Sequence, residues 1–379
     1  MARHSLKAAV VKAYFNHGGL ARPHERVARR VSAADREFAG LLYSEDGVRR
    51  LDAGLEQARM AACALIGAGE SGGVSLLANS STALNLAISI LGATLHTGEV
   101  ALTTDQEHPC VTWPLARLAA RGIEVATIAA DSPAEFLENL RVLARRRRPG
   151  FAVFSQVSCK DGRVLPVEEA GAILAQQEIP YIIDGAQALG QVGVDVAQIE
   201  AWAYTFVGHK WLFGPMGTGG LWASERFLRA NTLAWTGPVG IIRKGGGELE
   251  SGTLNYAACA GMTEALRTCA GEFSARVETL TRLHARIGGL LDRLYENTAS
   301  KWAGPHAPGI LAYALPPSVR SEELADAALA RFGVAVKPLR PPYEPNGFRV
   351  TFSPWTTDEE VELLGEAMRS LAGAPNARA

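Results

Sequence analysis

The stretch Pro180-Tyr181-Ile182-Ile183-Asp184-Gly185-Ala186-Gln187 passes from an apolar run straight into an aspartate and a turn of small residues. Further on, Ala203-Tyr204-Thr205-Phe206-Val207 runs into Gly208-His209-Lys210-Trp211. Apolar runs of about four to eight residues bounded by glycine read as buried strands. Working outward, strand-like runs lie at Val74–Ala78, Glu99–Leu102, Glu124–Ile128, Phe151–Val157, Pro180–Ile183, Ala203–Val207 and Gly219–Trp222. Helical apolar spacing separates most of them, over Ser80–Leu95, Val111–Ala120, Pro133–Arg146 and Val167–Gln177. Strands spaced by helices predict an α/β fold, a mostly parallel sheet flanked by helices. In such sheets ligands gather at the carboxyl ends of the strands.

The remainder reads differently. Glu264–Glu296 is one long helical pattern, followed by Pro/Gly-rich turns (Ala303–Pro308, Pro338–Gly347), short strands and a last helix over Thr357–Leu371. This predicts a smaller C-terminal α+β domain. We expect an N-terminal segment 1–20 near the active site, a large domain 21–262 and a small domain 263–379. A chain of 379 residues is long enough for two cores.

The formal net charge of -1 leaves no global basic field for nucleic acid or an anionic membrane. The run Arg145-Arg146-Arg147-Arg148 ends a helical pattern, where cations suit the dipole. No apolar run approaches the ~18 residues of a membrane span. Five cysteines, an odd number without a C-x-x-C pair, imply reduced thiols and neither a disulfide framework nor a metal cluster. A cytoplasmic protein is the expectation.

The strand ends concentrate the chemistry. Asn79-Ser80-Ser81-Thr82 opens a helix and reads either as an anion site or as an ordinary cap. Asp105-Gln106-Glu107-His108-Pro109-Cys110 places a histidine that is either structural or able to stack flat on an aromatic ring. Asp184 caps a helix or meets a cationic ligand group such as a protonated pyridine nitrogen. Lys210 lies in an apolar, glycine-rich segment, where an ammonium is costly to bury and imine formation relieves the cost. Asp184 and Lys210 are 26 positions apart, with a helix and a strand between them.

At these residues the chain resembles the class V aminotransferase family of fold-type I pyridoxal 5′-phosphate (PLP) enzymes. That group includes cysteine desulfurases and isopenicillin N epimerases. The resemblance runs from about Tyr14 to about Met368. Its most specific segments are Ile182-Ile183-Asp184-Gly185-Ala186-Gln187 and Gly208-His209-Lys210. It implies PLP on Lys210 as a Schiff base, with Lys210 also moving the Cα proton. It implies Asp184 at the pyridinium nitrogen, Gln187 at the ring oxygen, and Ala186 and His108 on the two ring faces. Ser80, Ser81 and His209 would take the phosphate. Ser251-Gly252-Thr253 resembles the segment whose threonine reaches the neighbouring subunit's cofactor, which implies a homodimer with shared sites. Arg349 matches the arginine that clamps the substrate carboxylate. Asn16-His17-Gly18-Gly19 is closer to the epimerase branch, with Asn16 and His17 beside the substrate.

Three departures stand out. Val334 to Arg349 holds no cysteine, where desulfurases carry a nucleophilic one. Cys159 stands where relatives place Asn or Ser near the ring oxygen. Val207 stands where desulfurases often have a hydroxyl. Cys159 and Cys110 fall near the cofactor, as reactive thiols or as space-filling groups. Cys63, Cys259 and Cys269 follow core patterns. Trp113, Trp211, Trp235 and Trp355 line a pocket or pack. The charge of Pro338–Gly347, with Arg340 and Tyr343, suggests a substrate with an additional polar or anionic group.

The first expectation is therefore a lyase acting on a small amino acid and cleaving a β C–S or similar bond without a persulfide-forming cysteine. Transamination, epimerisation and a non-catalytic scaffold are the alternatives. No G-x-G-x-x-G follows the first strand of the α/β region, which excludes a Rossmann-type dehydrogenase.

Overall fold

The computed structural model describes residues 10–41, 44–69, 72–230, 246–299, 302–341 and 344–372. Trp235, Tyr343 and the first nine residues of the segment 1–20 lie outside the described residues. The chain enters through β1 (Ala13–Phe15), α1 (Glu25–Leu41) and α2 (Glu45–Leu65). Strand and helix then alternate: β2 (Gly73–Leu77), α3 (Ser80–Ala93), β3 (Val100–Thr104), α4 (Pro109–Ala119), β4 (Glu124–Ile128), α5 (Pro133–Arg147), β5 (Phe151–Ser155). They continue with α6 (Val167–Ala175), β6 (Tyr181–Asp184), α7 (Val196–Ile199), β7 (Ala203–Val207), β8 (Gly219–Ala223) and α8 (Glu225–Ala230). After the long α9 (Tyr256–Leu291) come β9 (Glu296–Asn297), β10 (Ile310–Ala314), α10 (Ser321–Phe332), β11 (Val334–Leu339), β12 (Gly347–Thr351) and α11 (Asp358–Ala372).

The large sheet has the order β2-β8-β7-β6-β5-β3-β4. It is parallel from β7 through β4, and β8 runs antiparallel to both its neighbours. The inner strands β5, β7 and β8 are buried along their whole length, which is why they read as unbroken apolar runs. The chain moves outward from β3 to β4 but inward from β5 to β6, so the winding reverses between β3 and β5. A crevice at the carboxyl ends forms at that reversal.

The second sheet has the order β1-β11-β12-β10-β9. β1 joins it by parallel pairing with β11, Ala13 opposite Val334. The N-terminal segment thus serves the small sheet before its chain crosses to the crevice. The expected helix over Glu264–Glu296 is observed earlier, as α9. Asn255 caps it by accepting from Ala258 N (2.9 Å), and its first turns are small residues whose periodicity is hard to read. They are small because α1 crosses closely: a Cβ on Gly261 would lie 2.3 Å from Val31 Cγ2. The front of α9 packs Met262, Leu266 and Cys269 into the large core. Its rear packs Leu280, Leu283, Ile287 and Leu291 with Phe348 and Met368 in the small one. The division expected between 262 and 263 falls inside this helix. Among the described residues, no helix is long and apolar enough to cross a membrane.

One charged tie holds the start of the large domain together. Arg59 of α2 is 1% exposed. Its Nε and Nη2 donate to Glu250 Oε1 (2.8 Å) and Oε2 (2.7 Å), and Oε1 also accepts from Leu76 N of β2 (2.8 Å). Removing one member strands a buried charge. Glu250→Ala should therefore lower the unfolding free energy by about 3 kcal/mol, read from urea denaturation.

Candidate active site

Asp184 is the last residue of β6, and Lys210 lies in the turn after β7, the neighbouring strand. The buried Asp184 carboxylate accepts from Ala186 N (2.9 Å) and Thr205 Oγ1 (3.5 Å) through Oδ1, and Cys110 Sγ lies 3.8 Å from Oδ2. Gly185 follows because nothing larger fits: a Cβ there would lie 2.2 Å from the Tyr204 ring. The Lys210 turn is tied down by Gly208 N to Thr218 O (2.9 Å), Gly214 N to Gly208 O (2.8 Å) and Phe213 N to Lys210 O (2.9 Å). Loss of solvation pulls the Lys210 ammonium below its ordinary pKa, against the opposing pull of Asp184. Loss of solvation raises Asp184, against Lys210 and the donors around it. The pair therefore favours a neutral, nucleophilic amine more than an exposed lysine does.

Both groups open into one recess, shared with Ser80, Ser81, His108, Cys110, Ser155, Val157, Cys159, Ala186 and Gln187. Asn79, not Ser80 or Ser81, caps α3 by accepting from Thr82 N (2.9 Å). That leaves both serine hydroxyls at the helix N-terminus, where anions are favoured. His108 caps α4: its Nδ1 accepts from Cys110 N (3.2 Å). Loss of solvation, then the charges of Lys210, Lys337 and Arg349, hold its pKa at about 4, so the ring is neutral at physiological pH. Cys159 is buried, and burial raises its thiol pKa against the nearby Arg349 and Lys210 charges. The thiol of Cys110 is also raised, by burial and then by Asp184. Neither is activated as a thiolate. Cys259 and Cys269 are buried and Cys63 half-buried in the large core.

Several expected groups are engaged by packing or stand around the recess. Gln187 has both ends engaged: Nε2 donates to Gly18 O (2.9 Å), and Oε1 accepts from Trp211 Nε1 (2.8 Å). One amide hydrogen remains for a ring oxygen. Trp211 therefore packs, as a buried support. Trp113 is exposed, and Trp355 lies edge-on to Phe213 at 4.8 Å. His209 has a buried Nδ1 without a partner. Thr253 is exposed on the loop before α9 and does not reach the recess of its own chain. His17 is buried, with Nδ1 unpartnered and its pKa lowered to about 4 by burial and then by Arg22. Asn16 Oδ1 is also unpartnered. Between Asn16–His17 and the recess stands Gly18, which donates to Thr351 Oγ1 (2.9 Å).

Arg349 comes from β12 of the small sheet. It is 2% exposed, donates through Nη1 to the Cys159 carbonyl, and leaves Nε without a partner. A buried guanidinium with spare donors is a ready carboxylate site.

Residues 26–364 match the family model of aminotransferase class-V. The chain belongs to that family. Isopenicillin N epimerase of Streptomyces clavuligerus is 29% identical over 351 residues, covering 86% of either chain. Cysteine desulfurase IscS of Glaesserella parasuis is 32% identical over 202 residues, 52% of this chain and 46% of that one. Among solved structures, the apo cysteine desulfurase of Thermococcus onnurineus superposes with a TM-score of 0.82 at 22% identity, covering 98% of this chain and 99% of that one. The cystine C-S lyase C-DES, in complex with cysteine persulfide, gives 0.81 at 21%, covering 97% and 98%. The class-V aminotransferase fold is therefore fold-type I, and its enzymes use PLP. The recess fits that cofactor: a buried carboxylate, a desolvated lysine and the hydroxyls of Ser80 and Ser81 at a helix N-terminus converge there.

Three further groups near Asp184 carry no signal of their own in the sequence: Ser155, Thr205 and Glu107. Ser155 and Thr205 come beside Asp184 only through strand pairing. Cys110 is singled out there, but not as a neighbour of the carboxylate. Glu107 directly precedes His108. It is buried, with Oε1 accepting from Thr104 Oγ1 (2.5 Å) and Ser155 N (3.0 Å), and Ser155 Oγ lies 2.7 Å from Oε2. It ties the His108 turn to the end of β5.

Burial pushes Glu107 up from 4.5 to about 7, with Asp184 adding to the rise against the Ser155 and Thr104 bonds. Its folded pKa lies above its unfolded one, so its contribution to stability is whole below pH 4.5 and lost as pH rises through about 7. The isosteric Glu107→Gln, compared with wild type by urea denaturation at pH 5 and pH 8, should remove up to about 3 kcal/mol of that decline. Equal pH slopes in the two proteins would refute the assignment.

Proposed function

We propose that this class-V enzyme removes the Cα proton of a small amino acid with Lys210 and then expels a β substituent, sulfur-linked in the first instance. PLP bound in the recess supplies the electron sink for that carbanion. Arg349 grips the substrate carboxylate with the donors it leaves free. Asp184 keeps a proton on the ring nitrogen. His108 covers one ring face and Ala186 the other. Ser80, Ser81 and His209 hold the phosphate, and Thr253 reaches the cofactor of the partner subunit in a homodimer. Gln187, with its one spare amide hydrogen, and Cys159 border the ring oxygen. Asn16 and His17 shape the substrate side through Gly18. The reduced thiols and near-neutral charge support a cytoplasmic enzyme.

The observation that carries the eliminating role is the state of His108. Its imidazole is neutral at physiological pH, and its Nδ1 is occupied by Cys110 N. A proton returned to the opposite side of Cα needs an acid there, and His108 is poorly suited to supply it. Lys210 is the amine that lines the recess and carries the proton on its own side. The absence of cysteine over Val334 to Arg349 supports release of the sulfur as a small product. Epimerisation is the second reading, favoured by the similarity to isopenicillin N epimerase along 86% of the chain.

The purified enzyme with PLP should form a keto acid and ammonia, with a sulfur product, from a sulfur-bearing amino acid while the cofactor keeps its absorption band. Bleaching of the band, reversed by a keto acid, would instead show transamination. Inversion at Cα in deuterium oxide, with no keto acid, would show epimerisation. Lys210→Ala should slow turnover by about a thousandfold or more. Arg349→Lys should raise KM about tenfold or more with a smaller change in kcat, because a lysine loses the bidentate grip.

A further inference from the structure

Arg340, whose charge drew attention in the sequence, turns away: 62% of its side chain is exposed, and its Nε donates to Glu322 (2.9 Å). The cation that faces the site is Lys337. Lys337 and Arg349 are directly opposed in the antiparallel β11–β12 pair, so their side chains leave the same face of the sheet. The Lys337 charge acts on His108 and on Cys159, both lining the recess. Its ammonium lies 2.5 Å from Glu344 Oε1.

Three cations and two carboxylates therefore stand near one another between the recess and the small sheet. Lys210 faces Asp184, and Lys337 faces Glu344. Arg349 has no carboxylate within salt-bridge distance among the described residues, feels the charge of Glu344 only from further off, and has no partner on Nε. A substrate α-carboxylate completes Arg349. Lys337 is the next cation along. It uses one of its three donors on Glu344. Glu344 is tied to Arg340, with Glu344 N bonded to Arg340 O (3.0 Å) and Arg340 N to Oε2 (3.3 Å). Exchanging one carboxylate for another at Lys337 keeps the charge balance, whereas a cationic side chain would meet two like charges.

We propose that Lys337 is a specificity-determining residue that binds a second carboxylate, carried on the side chain of the substrate, with Glu344 holding that place until the substrate arrives. The inference rests on Arg349 as the α-carboxylate clamp. It names the substrate class as acidic amino acids with a carboxylate beyond Cβ.

Glutarate and butyrate, equal in reach apart from the second carboxylate, separate the two assignments by isothermal titration calorimetry on the PLP-loaded protein. Wild type should bind glutarate about tenfold more tightly than butyrate. Lys337→Met should bring the two within about twofold while butyrate affinity holds. Glu344→Gln, which removes the competing carboxylate, should tighten glutarate about threefold. A wild-type ratio near one, or a ratio unchanged in Lys337→Met, would overturn the proposal. If Lys337→Met does not fold, Glu344→Gln decides, and unchanged or weakened glutarate binding overturns it. Arg349→Lys should weaken both ligands. If it leaves butyrate unaffected, the clamp reading fails, and this inference fails with it.

Discussion

A carboxylate and an amine removed from water at the ends of neighbouring parallel strands are the constraint on which the site depends. Asp184 closes β6, and Lys210 follows β7. Each pays for its burial through the other and through the backbone donors that hold the two turns. Only a glycine can follow Asp184, because the Tyr204 ring leaves no room for a Cβ at Gly185. Tyr204 is itself held by its hydroxyl, 2.9 Å from Gln156 Oε1. Strand register, turn geometry and charge state are therefore one coupled arrangement.

Around that pair the two sheets divide the labour. The large sheet supplies the floor and the anion-favouring start of α3. The small sheet supplies two cations side by side, Arg349 and Lys337. The path between them runs through short contacts: Arg349 to the Cys159 carbonyl, Gly18 to Thr351 Oγ1, and Gln187 to Gly18 O. The N-terminal segment thus belongs to both parts. It pairs with β11 through β1 and then braces the recess at Gly18. α9 links the parts from beneath, with its front in one core and its rear in the other.

The electrostatics of the recess also explain its restraint. His108, His17 and His209 are all held near pKa 4 by loss of solvation. They are neutral at physiological pH, which suits stacking and hydrogen bonding better than acid catalysis. The two thiols are pushed up rather than down. Lys210 is thus the group whose proton the site leaves available, and burial raises the Glu107 carboxyl to about 7.

The α/β fold and the strand ends that carry Asp184 and Lys210 were legible in the chain, whereas Arg349 drew attention only through the family resemblance. Period-two and continuous apolar runs reflect burial directly, and ionisable residues at apolar strand ends break that pattern visibly. Other features were not legible, because they depend on partners distant in sequence. The extent of α9 was hidden by small residues chosen for contact with α1. Gln187 looked free for the ring oxygen, but tertiary packing engages it with Gly18 and Trp211. Arg340 looked like the charge at the entrance, yet strand pairing places Lys337 beside Arg349 and sends Arg340 to Glu322. The sequence by itself determined which chemical groups the protein owns and the local element each ends. The tertiary structure decided which of them meet, because register across the sheets sets side-chain direction and burial sets the charge each one carries.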